Sequence, residues 1–116
     1  MKHHKKGRIF GRVKRQRTAL LRSLALNLLK SGEMVTTEEK AKEVRPFIER
    51  LITKAKTDTV ASRRNVASGL ASITGAKMLA AKAADFKTRP GGYTRIVKLP
   101  RRLADGAAMA HISFVK

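Results

Sequence analysis

The chain has 116 residues, of which 27 are Lys or Arg and only 8 are Asp or Glu, so its formal net charge at pH 7 is +19. The absence of cysteine excludes disulfides, thiolate metal sites and cysteine nucleophiles. Hydrophobic residues make up 42% of the chain, which is enough for a modest core and argues against wholesale disorder.

The charge is unevenly placed along the chain. Residues 1–32 carry ten Lys or Arg and no acid, residues 33–58 carry six basic and six acidic residues, and residues 59–116 carry eleven basic and two acidic residues. Two basic flanks around a neutral centre favour a nucleic-acid partner, because clustered cations displace the counterions condensed on phosphates.

Residues 1–14 are predicted to form an extended basic arm, and residues 15–116 a single α+β domain. A basic, acid-free N-terminus is also typical of secretory signals and mitochondrial presequences. Arg22 interrupts the apolar stretch that such a signal would need, so a cytoplasmic protein that makes no membrane contact is the favoured expectation.

A first helix is predicted from about Arg15 to Ser31, because apolar residues recur there at helical spacing and define one buried stripe. Gly32 follows it and can adopt the left-handed conformation that ends helices. The short segment 34–36 contains β-branched residues and predicts a brief strand. The stripe of the helix consists of Leu21, Leu24, Ala25, Leu28 and Leu29.

The second helix is the clearest element of the sequence. Thr36, with Glu39 three residues later, is a candidate capping box, and Thr37 is the alternative cap. Pro46 lacks an amide hydrogen, so a kink near residues 42–46 is expected, but no break, because the apolar stripe keeps its phase. That stripe consists of Ala41, Val44, Ile48, Leu51, Ile52 and Ala55.

Residues rich in Ala and Ser follow, and they predict two short helices at about 60–69 and 75–85. Gly69 and Gly75 are expected to act as stops for these helices. After a turn at 88–92, two stretches of alternating residues predict strands that pair as an antiparallel ribbon. These strands are expected at 93–99 and 108–115.

The predicted fold class is therefore α+β. The segment at 33–36 is a candidate third strand, because a ribbon of two strands is only marginally stable alone. We expect a small three-stranded mixed sheet packed on about four helices, with the extended basic arm at the N-terminus.

The chain contains no arrangement of residues typical of catalysis. The histidines are His3, His4 and His111, and no Ser-His-acid arrangement or phosphate-binding glycine loop can be derived. His3 and His4 are adjacent, so they point apart on an extended chain and are poorly placed to share a metal. The sequence therefore predicts a protein that is not an enzyme, with no cofactor, metal or small-molecule substrate.

The basic side chains are the main candidates for RNA binding. A surface built only for solubility usually mixes charges of both signs, and the first 32 residues have no acid. Arg63 and Arg64 are equally consistent with a solvated helix face, and Tyr93 with a half-buried core position. With only 4% aromatic residues, the chain is expected to recognise RNA shape and phosphates. The candidate set is Lys2, His3, His4, Lys5, Lys6, Arg8, Arg12, Lys14, Arg15, Arg17, Arg22, Arg63, Arg64, Arg89, Tyr93, Arg95, Lys98, Arg101 and Arg102.

Several short segments of this chain match segments of a known protein family, in the same order. They are Met1-Lys2-His3 with Gly7-Arg8, Arg17-x-Ala19-x-x-Arg22, Thr36-Thr37, Lys40-Ala41-Lys42-Glu43-Val44-Arg45, Leu51-Ile52-Thr53-x-Ala55-Lys56-Thr57-Asp58, Arg63-Arg64 and Gly91-Gly92-Tyr93-Thr94-Arg95-Ile96. Over nearly the whole chain, this pattern resembles the bacterial large-ribosomal-subunit protein number seventeen family. Pro46 and Ala108 depart from the residues that are usual in that family.

The resemblance implies an α+β protein that binds large-subunit ribosomal RNA near the outer rim of the nascent-chain exit tunnel. Neighbouring large-subunit ribosomal proteins would be further partners. The N-terminal arm, the residues around Arg63 and the segment 93–95 would face the RNA. From the residues alone, a nucleoid-type DNA-binding protein and a membrane-active protein acting through the first helix are the alternatives.

Overall fold

The fold is described by a computed structural model that covers residues 10–115. The predicted arm residues Lys2, His3, His4, Lys5, Lys6 and Arg8 lie outside the described residues. Within the described range the chain forms four helices and three strands, which confirms the predicted α+β class. In chain order these are α1 (Lys14–Ser31), β1 (Glu33–Thr37), α2 (Glu38–Ala55), α3 (Val60–Leu70), α4 (Ile73–Asp85), β2 (Thr94–Leu99) and β3 (Met109–Phe114).

The three strands form one sheet in the order β1-β3-β2. Strand β3 is central and pairs antiparallel with both neighbours, with Met34 opposite Ile112 on one side and Ile96 opposite Ile112 on the other. The expectation of a mixed sheet was therefore wrong in this detail. Strands β1 and β2 do run in the same direction, but β3 separates them, so no parallel pair forms.

The core lies between the helices and one face of this sheet. The apolar stripe of α2 is buried as predicted except at Ala55, which is partly buried, and Leu28 of α1 and Ile48 of α2 are fully buried. From the sheet, β3 contributes every second residue, so its alternation places one face against the helices. The buried residues of β3 are Ala110, Ile112 and Phe114.

The predicted ends of the first two helices can be compared with the caps in the structure. Gly32 ends α1 in the left-handed conformation, with φ of 79°, and its N–H donates to the carbonyl of Leu28. Thr37, the alternative cap, is the N-cap of α2, because its hydroxyl accepts from the N–H of Lys40. Thr36 pairs with Ala110 inside β1 and is therefore not the cap. Helix α2 runs unbroken through Pro46, as the phase of its stripe predicts.

Gly69 and Gly75 were predicted to be stops, and this was wrong for both. Gly69 lies inside α3, which ends at Leu70, and the C-cap Ala71 adopts the left-handed conformation itself, with φ of 53°. Gly75 is buried in the first turn of α4, and a Cβ atom there would lie 2.4 Å from Cδ2 of Leu26. It therefore allows α4 to approach α1 closely.

Candidate nucleic-acid interface

The start of α1 concentrates positive charge. Its first turn contains Lys14, Arg15 and Arg17 and no acidic residue, and its N-cap Val13 makes no side-chain capping hydrogen bond. Cations at this end oppose the helix dipole, which favours negative charge near the N-terminus. The other three helices begin instead with hydroxyl caps, at Thr37, Thr59 and Ser72. Among these four helices, α1 alone begins with several cations, no acidic residue and no side-chain cap.

A shallow groove lies beside this helix start. It has a volume of about 470 Å³ and is lined by Val13, Lys14, Arg15, Thr18 and Arg22. The side chains of Lys14 and Arg15 are exposed and form no ion pair within residues 10–115. Their charges are therefore available to an anion that approaches the groove.

Arg22 differs from these cations although it lines the same groove. Its Nε donates to the carbonyl of Gly69 at 3.0 Å, and its Nη2 donates to the carbonyl of Ser68 at 3.4 Å. These carbonyls lie in the last turn of α3, where the negative end of the helix dipole makes a cation favourable. The carbonyl of Ser68 also accepts from the N–H of Ala71 at 3.2 Å. Arg22 therefore ties α1 to the end of α3. Arg12 likewise has an internal bond, from Nη1 to the carbonyl of Phe10.

A second cleft joins two more predicted residues, Arg89 and Arg95. It has a volume of about 470 Å³, and its wall is completed by Ser113, Phe114 and Val115. The side chain of Arg95 is exposed and has no ion pair in the described part of the chain. Arg89 uses only its Nε, which donates to two carbonyls of the adjacent turn. Both guanidinium groups can therefore present donors to one anion in this cleft.

The turn before β2 is held by the side chain of Tyr93. Its ring is 1% exposed and packs 5.1 Å from that of Phe86, so it is not available to stack on a base. Its hydroxyl bonds with the hydroxyl of Thr53 at 3.2 Å and accepts from Nζ of Lys56 at 3.1 Å. The bond with Thr53, followed by that with Lys56, lowers the pKa of Tyr93 below its ordinary value. Tyr93 thus positions the segment between Arg89 and Arg95.

Sequence reasoning missed the helix residues that anchor this turn. Glu49 accepts from Thr94, Thr53 bonds with Tyr93, and Lys56 donates both to Tyr93 and to the carbonyl of Arg89. Glu49 and Thr53 lie on α2 and Lys56 is its C-cap, and their spacing of i, i+4 and i+7 places them on one helix face. That polar stripe was a usable signal, but the sequence does not show which loop it meets.

Arg63 and Arg64 are neighbours on α3 with different surroundings. Nη1 of Arg63 lies 2.9 Å from Oδ1 of Asp58, and both side chains are more than half exposed. Exposed pairs of this kind contribute little to stability, so Arg63 can exchange this partner for a phosphate. Arg64 is exposed and has no ion pair among residues 10–115.

The loop between β2 and β3 carries Arg101 and Arg102. Nη1 of Arg101 donates to the carbonyl of Gly106 at 2.8 Å, and Arg102 contacts both carboxylate oxygens of Asp105, at 3.0 and 2.7 Å. The hydrogen bonds from Arg102 and then from the N–H of Ala107 lower the pKa of Asp105 to about 2. These two arginines therefore order their own loop and keep part of their donor capacity.

The remaining candidate, Lys98, lies on β2. Its Nζ is 3.8 Å from Oε1 of Glu38, and its side chain is 79% exposed. The ammonium of Lys42 contacts the same carboxylate at 2.9 Å, and these cations, Lys42 before Lys98, lower the pKa of Glu38. Lys98 thus shares one acid with a second cation and remains largely open to solvent.

Two other kinds of site, a metal centre and a membrane-spanning helix, are absent from residues 10–115. No three His, Asp or Glu side chains between residues 10 and 115 are grouped so that they could hold a metal ion. In the same range no helix combines the length and apolar character that a membrane span requires.

Comparison with known proteins agrees with the resemblance in the sequence. The family model described as Ribosomal protein L17 matches residues 20–115. The protein named Large ribosomal subunit protein bL17 of Gemmatimonas aurantiaca is 47% identical over 116 residues, which cover 99% of this chain and 98% of that protein. Its namesake in Sulfurihydrogenibium sp. is 48% identical over 118 residues, covering 100% of this chain and 98% of the relative. The chain therefore belongs to the Ribosomal protein L17 family.

Proposed function

We propose that the protein, as a structural constituent of the large ribosomal subunit, binds large-subunit ribosomal RNA through phosphate contacts. The observation that carries this proposal is a set of exposed cations at the start of α1 and in the cleft of Arg89 and Arg95. These cations have no acidic partner within residues 10–115. Clustered cations of this kind gain free energy by releasing counterions from RNA. The family of the chain supports RNA as the polyanion.

The proposed contacts read the shape and charge of the RNA. Sequence-specific RNA recognition usually stacks unpaired bases on exposed aromatic rings. The only tyrosine and two of the four phenylalanines, Phe86 and Phe114, are buried, and Phe10 and Phe47 are partly buried. Phosphate contacts by Arg15 and Arg95 would fix the position of the protein on folded RNA without reading individual bases.

The position of the protein in the subunit is also part of this proposal. The family resemblance supports a site near the rim of the nascent-chain exit tunnel, with neighbouring ribosomal proteins as partners, in the cytoplasm. The division into an arm and a domain is proposed as well. Since Val13 is the N-cap of α1, a truncation that respects the structure removes residues 1–12. We expect this truncation to leave a folded domain with much weaker RNA binding.

The proposal is tested by salt-dependent binding to large-subunit ribosomal RNA. In separate variants, Arg15→Ala and Arg95→Ala each remove one proposed phosphate contact. We expect each change to weaken binding and to reduce the slope of log K against log salt concentration by about 1. Arg50→Ala is the matched control, because Arg50 is an exposed arginine on α2 that lies outside the candidate set.

The same titration can contradict the proposal. If the Arg50→Ala variant lost as much slope as the other two, binding would depend on total charge and not on these two sites. If the unaltered protein bound the RNA with no dependence on salt, phosphate neutralisation would be wrong. Equal affinity for duplex DNA at the same salt concentration would favour a nucleoid protein instead.

A further inference from the structure

The register of the sheet defines a face that points away from the helices. Side chains alternate between the two faces along each strand. Ala110, Ile112 and Phe114 of β3 point to the helices, and so do the residues paired with them on β1 and β2. The remaining residues of the three strands form the outer face. The outer face has three rows across the strands. They are Glu33–Ser113–Arg95, Val35–His111–Val97 and Thr37–Met109–Leu99.

Four of the nine residues of this outer face are apolar, although solvent exposure would favour polar residues there. In antiparallel sheets with one face on the core, the other face is typically polar. Here Val35 is 60% exposed and Val97 is 46% exposed, and His111 lies between them. The next row adds Met109 and Leu99, which are partly exposed. Val97, Leu99 and Met109 adjoin one another across β2 and β3, and clustered apolar residues of this kind mark interaction surfaces.

The charge of the outer face distinguishes between RNA and protein as its partner. Among its nine residues the face has one acid, Glu33, and one arginine, Arg95, in a chain of net charge +19. Glu33 and His111 also face each other, with 3.5 Å between Oε2 and Nε2. Surfaces that bind nucleic acid are strongly positive, whereas the centres of protein interfaces are depleted of charge. Arg95 and Ser113 border the anion cleft, whereas the other two rows contain no Lys, Arg, Asp or Glu. A protein partner therefore fits those two rows better than a phosphate backbone does.

The size of the face limits how its partner is held. Three strands about 4.8 Å apart, with five residues rising about 3.4 Å each, span roughly 14 by 17 Å. A stable interface between free proteins buries about 800 Å² on each partner. The face is too small to hold a second copy of this chain by itself. The face suits a partner that has a second point of attachment. Two proteins bound to the same RNA meet this condition, because the RNA holds each of them in place.

We infer that the outer face of the sheet docks an uncharged apolar segment of a neighbouring protein in the large subunit. This inference rests on the proposed function, because the shared RNA brings the two proteins together. Apolar side chains of the segment cover Val35 and Val97, and its polar groups face the row of Glu33 and Arg95. The arginine then borders both this partner and the anion cleft beside it.

The test uses large subunits purified from cells in which this chain is the only copy of the protein. A photo-reactive amino acid replaces Val97 in one preparation and Val35 in a second. The control preparation carries it at Val60, which is 55% exposed on α3. After irradiation we expect positions 97 and 35 to attach to the same large-subunit protein, identified by peptide mass spectrometry, and position 60 not to attach to it.

Other products of the crosslinking overturn the inference. These are attachment to ribosomal RNA, to residues 1–9 of this chain or to a second copy, and the absence of any product from both sheet positions. Absence of the chain from the purified subunits before irradiation is a different result, because it overturns the proposed function as well.

A substitution provides an independent measurement. Val35→Thr combined with Val97→Thr keeps the β-branched shape and removes apolar surface. We expect the free protein to bind ribosomal RNA as before, but to be lost several-fold faster from subunits during high-salt washing. Val60→Thr is the matched control and should change neither quantity. Unchanged retention of the double variant would overturn the inference.

Discussion

Glu49 of α2 accepts two hydrogen bonds from Thr94, from its backbone N–H at 3.1 Å and from its hydroxyl at 2.8 Å. Thr94 is 3% exposed, so its N–H and its hydroxyl donate to this carboxylate and not to water. The pair fixes the first residue of β2 against the helix. Since Arg95 is the next residue, the same contact positions one wall of the anion cleft.

We expect Glu49→Ala to lower the free energy of unfolding by about 2 kcal/mol, because it leaves two buried donors without a partner. Glu49→Gln keeps an acceptor oxygen and should lose less. The measurement is urea unfolding of the full chain. Arg45→Ala is the control, because its Nε lies 3.7 Å from the same carboxylate and its side chain is 44% exposed. If Arg45→Ala lowered the free energy of unfolding as much as Glu49→Ala does, the hydrogen bonds to Thr94 would not explain the stabilising effect of Glu49.

Arg22 and Arg15 share one groove but should respond differently to substitution. We expect Arg22→Ala to lower the free energy of unfolding by about 1 kcal/mol, because two carbonyls at the end of α3 lose their charged donor. Arg15→Ala should leave stability nearly unchanged and weaken RNA binding. Thermal unfolding and RNA titration of both variants check this. A variant of Arg22 that unfolds normally but no longer binds RNA would show that its contact with α3 is dispensable.

Much of the fold was predictable because its signals are local. The apolar stripe of α2 repeats over several turns, and Gly32 follows the last turn of α1, so both elements depend only on near neighbours. The antiparallel ribbon of β2 and β3 was predictable for the same reason. The place of β1 was not, because its pairing with β3 joins segments about 75 residues apart in sequence, and strand order decides whether a parallel pair forms.

The details of the candidate site depended on distant contacts and were less predictable. Arg22 has the same charge as Arg15, and only the fold shows that it meets Gly69 across the helices. Tyr93 was an RNA-binding candidate from its segment, whereas the structure buries its ring in the core. Gly75 carries no sign in the sequence that Leu26 packs against it. For Arg22 and Gly75, the residue that determines the role lies more than 40 positions away in the sequence.

Helices α1 and α3 are each followed by a residue in the left-handed conformation, which is glycine in one case and alanine in the other. Exchanging these two residue types should therefore have opposite effects at the two helix ends. Gly32 has φ of 79° and Ala71 has φ of 53°. A side chain at positive φ costs about 1 kcal/mol, so Gly32→Ala should destabilise the protein by about that amount. Ala71→Gly should stabilise it, because the glycine relieves the same strain at the end of α3. Thermal unfolding of both variants checks the signs, and a destabilised Ala71→Gly variant would contradict this explanation.

The final prediction concerns the pH dependence of the loop between β2 and β3. The pKa of Asp105 is lowered from 3.8 to about 2, first by Arg102 and then by the N–H of Ala107. A carboxylate with a lowered pKa favours the closed loop fully above about pH 4, and this contribution is lost as the pH falls through about 2. Carboxyl carbon shifts of Asp105, followed by NMR, should therefore titrate with a midpoint near 2.

The variant Arg102→Ala separates the two causes of this shift. It removes the larger one, so the midpoint of Asp105 should rise towards 3.8 while the bond from Ala107 keeps it somewhat below. Arg101→Ala is the control, because Arg101 donates to the carbonyl of Gly106 and not to this carboxylate. An unchanged midpoint in the Arg102→Ala variant would show that the pair is open in solution. Arg102 would then be as available to phosphates as Arg95, which has no ion pair among the residues that the structure describes.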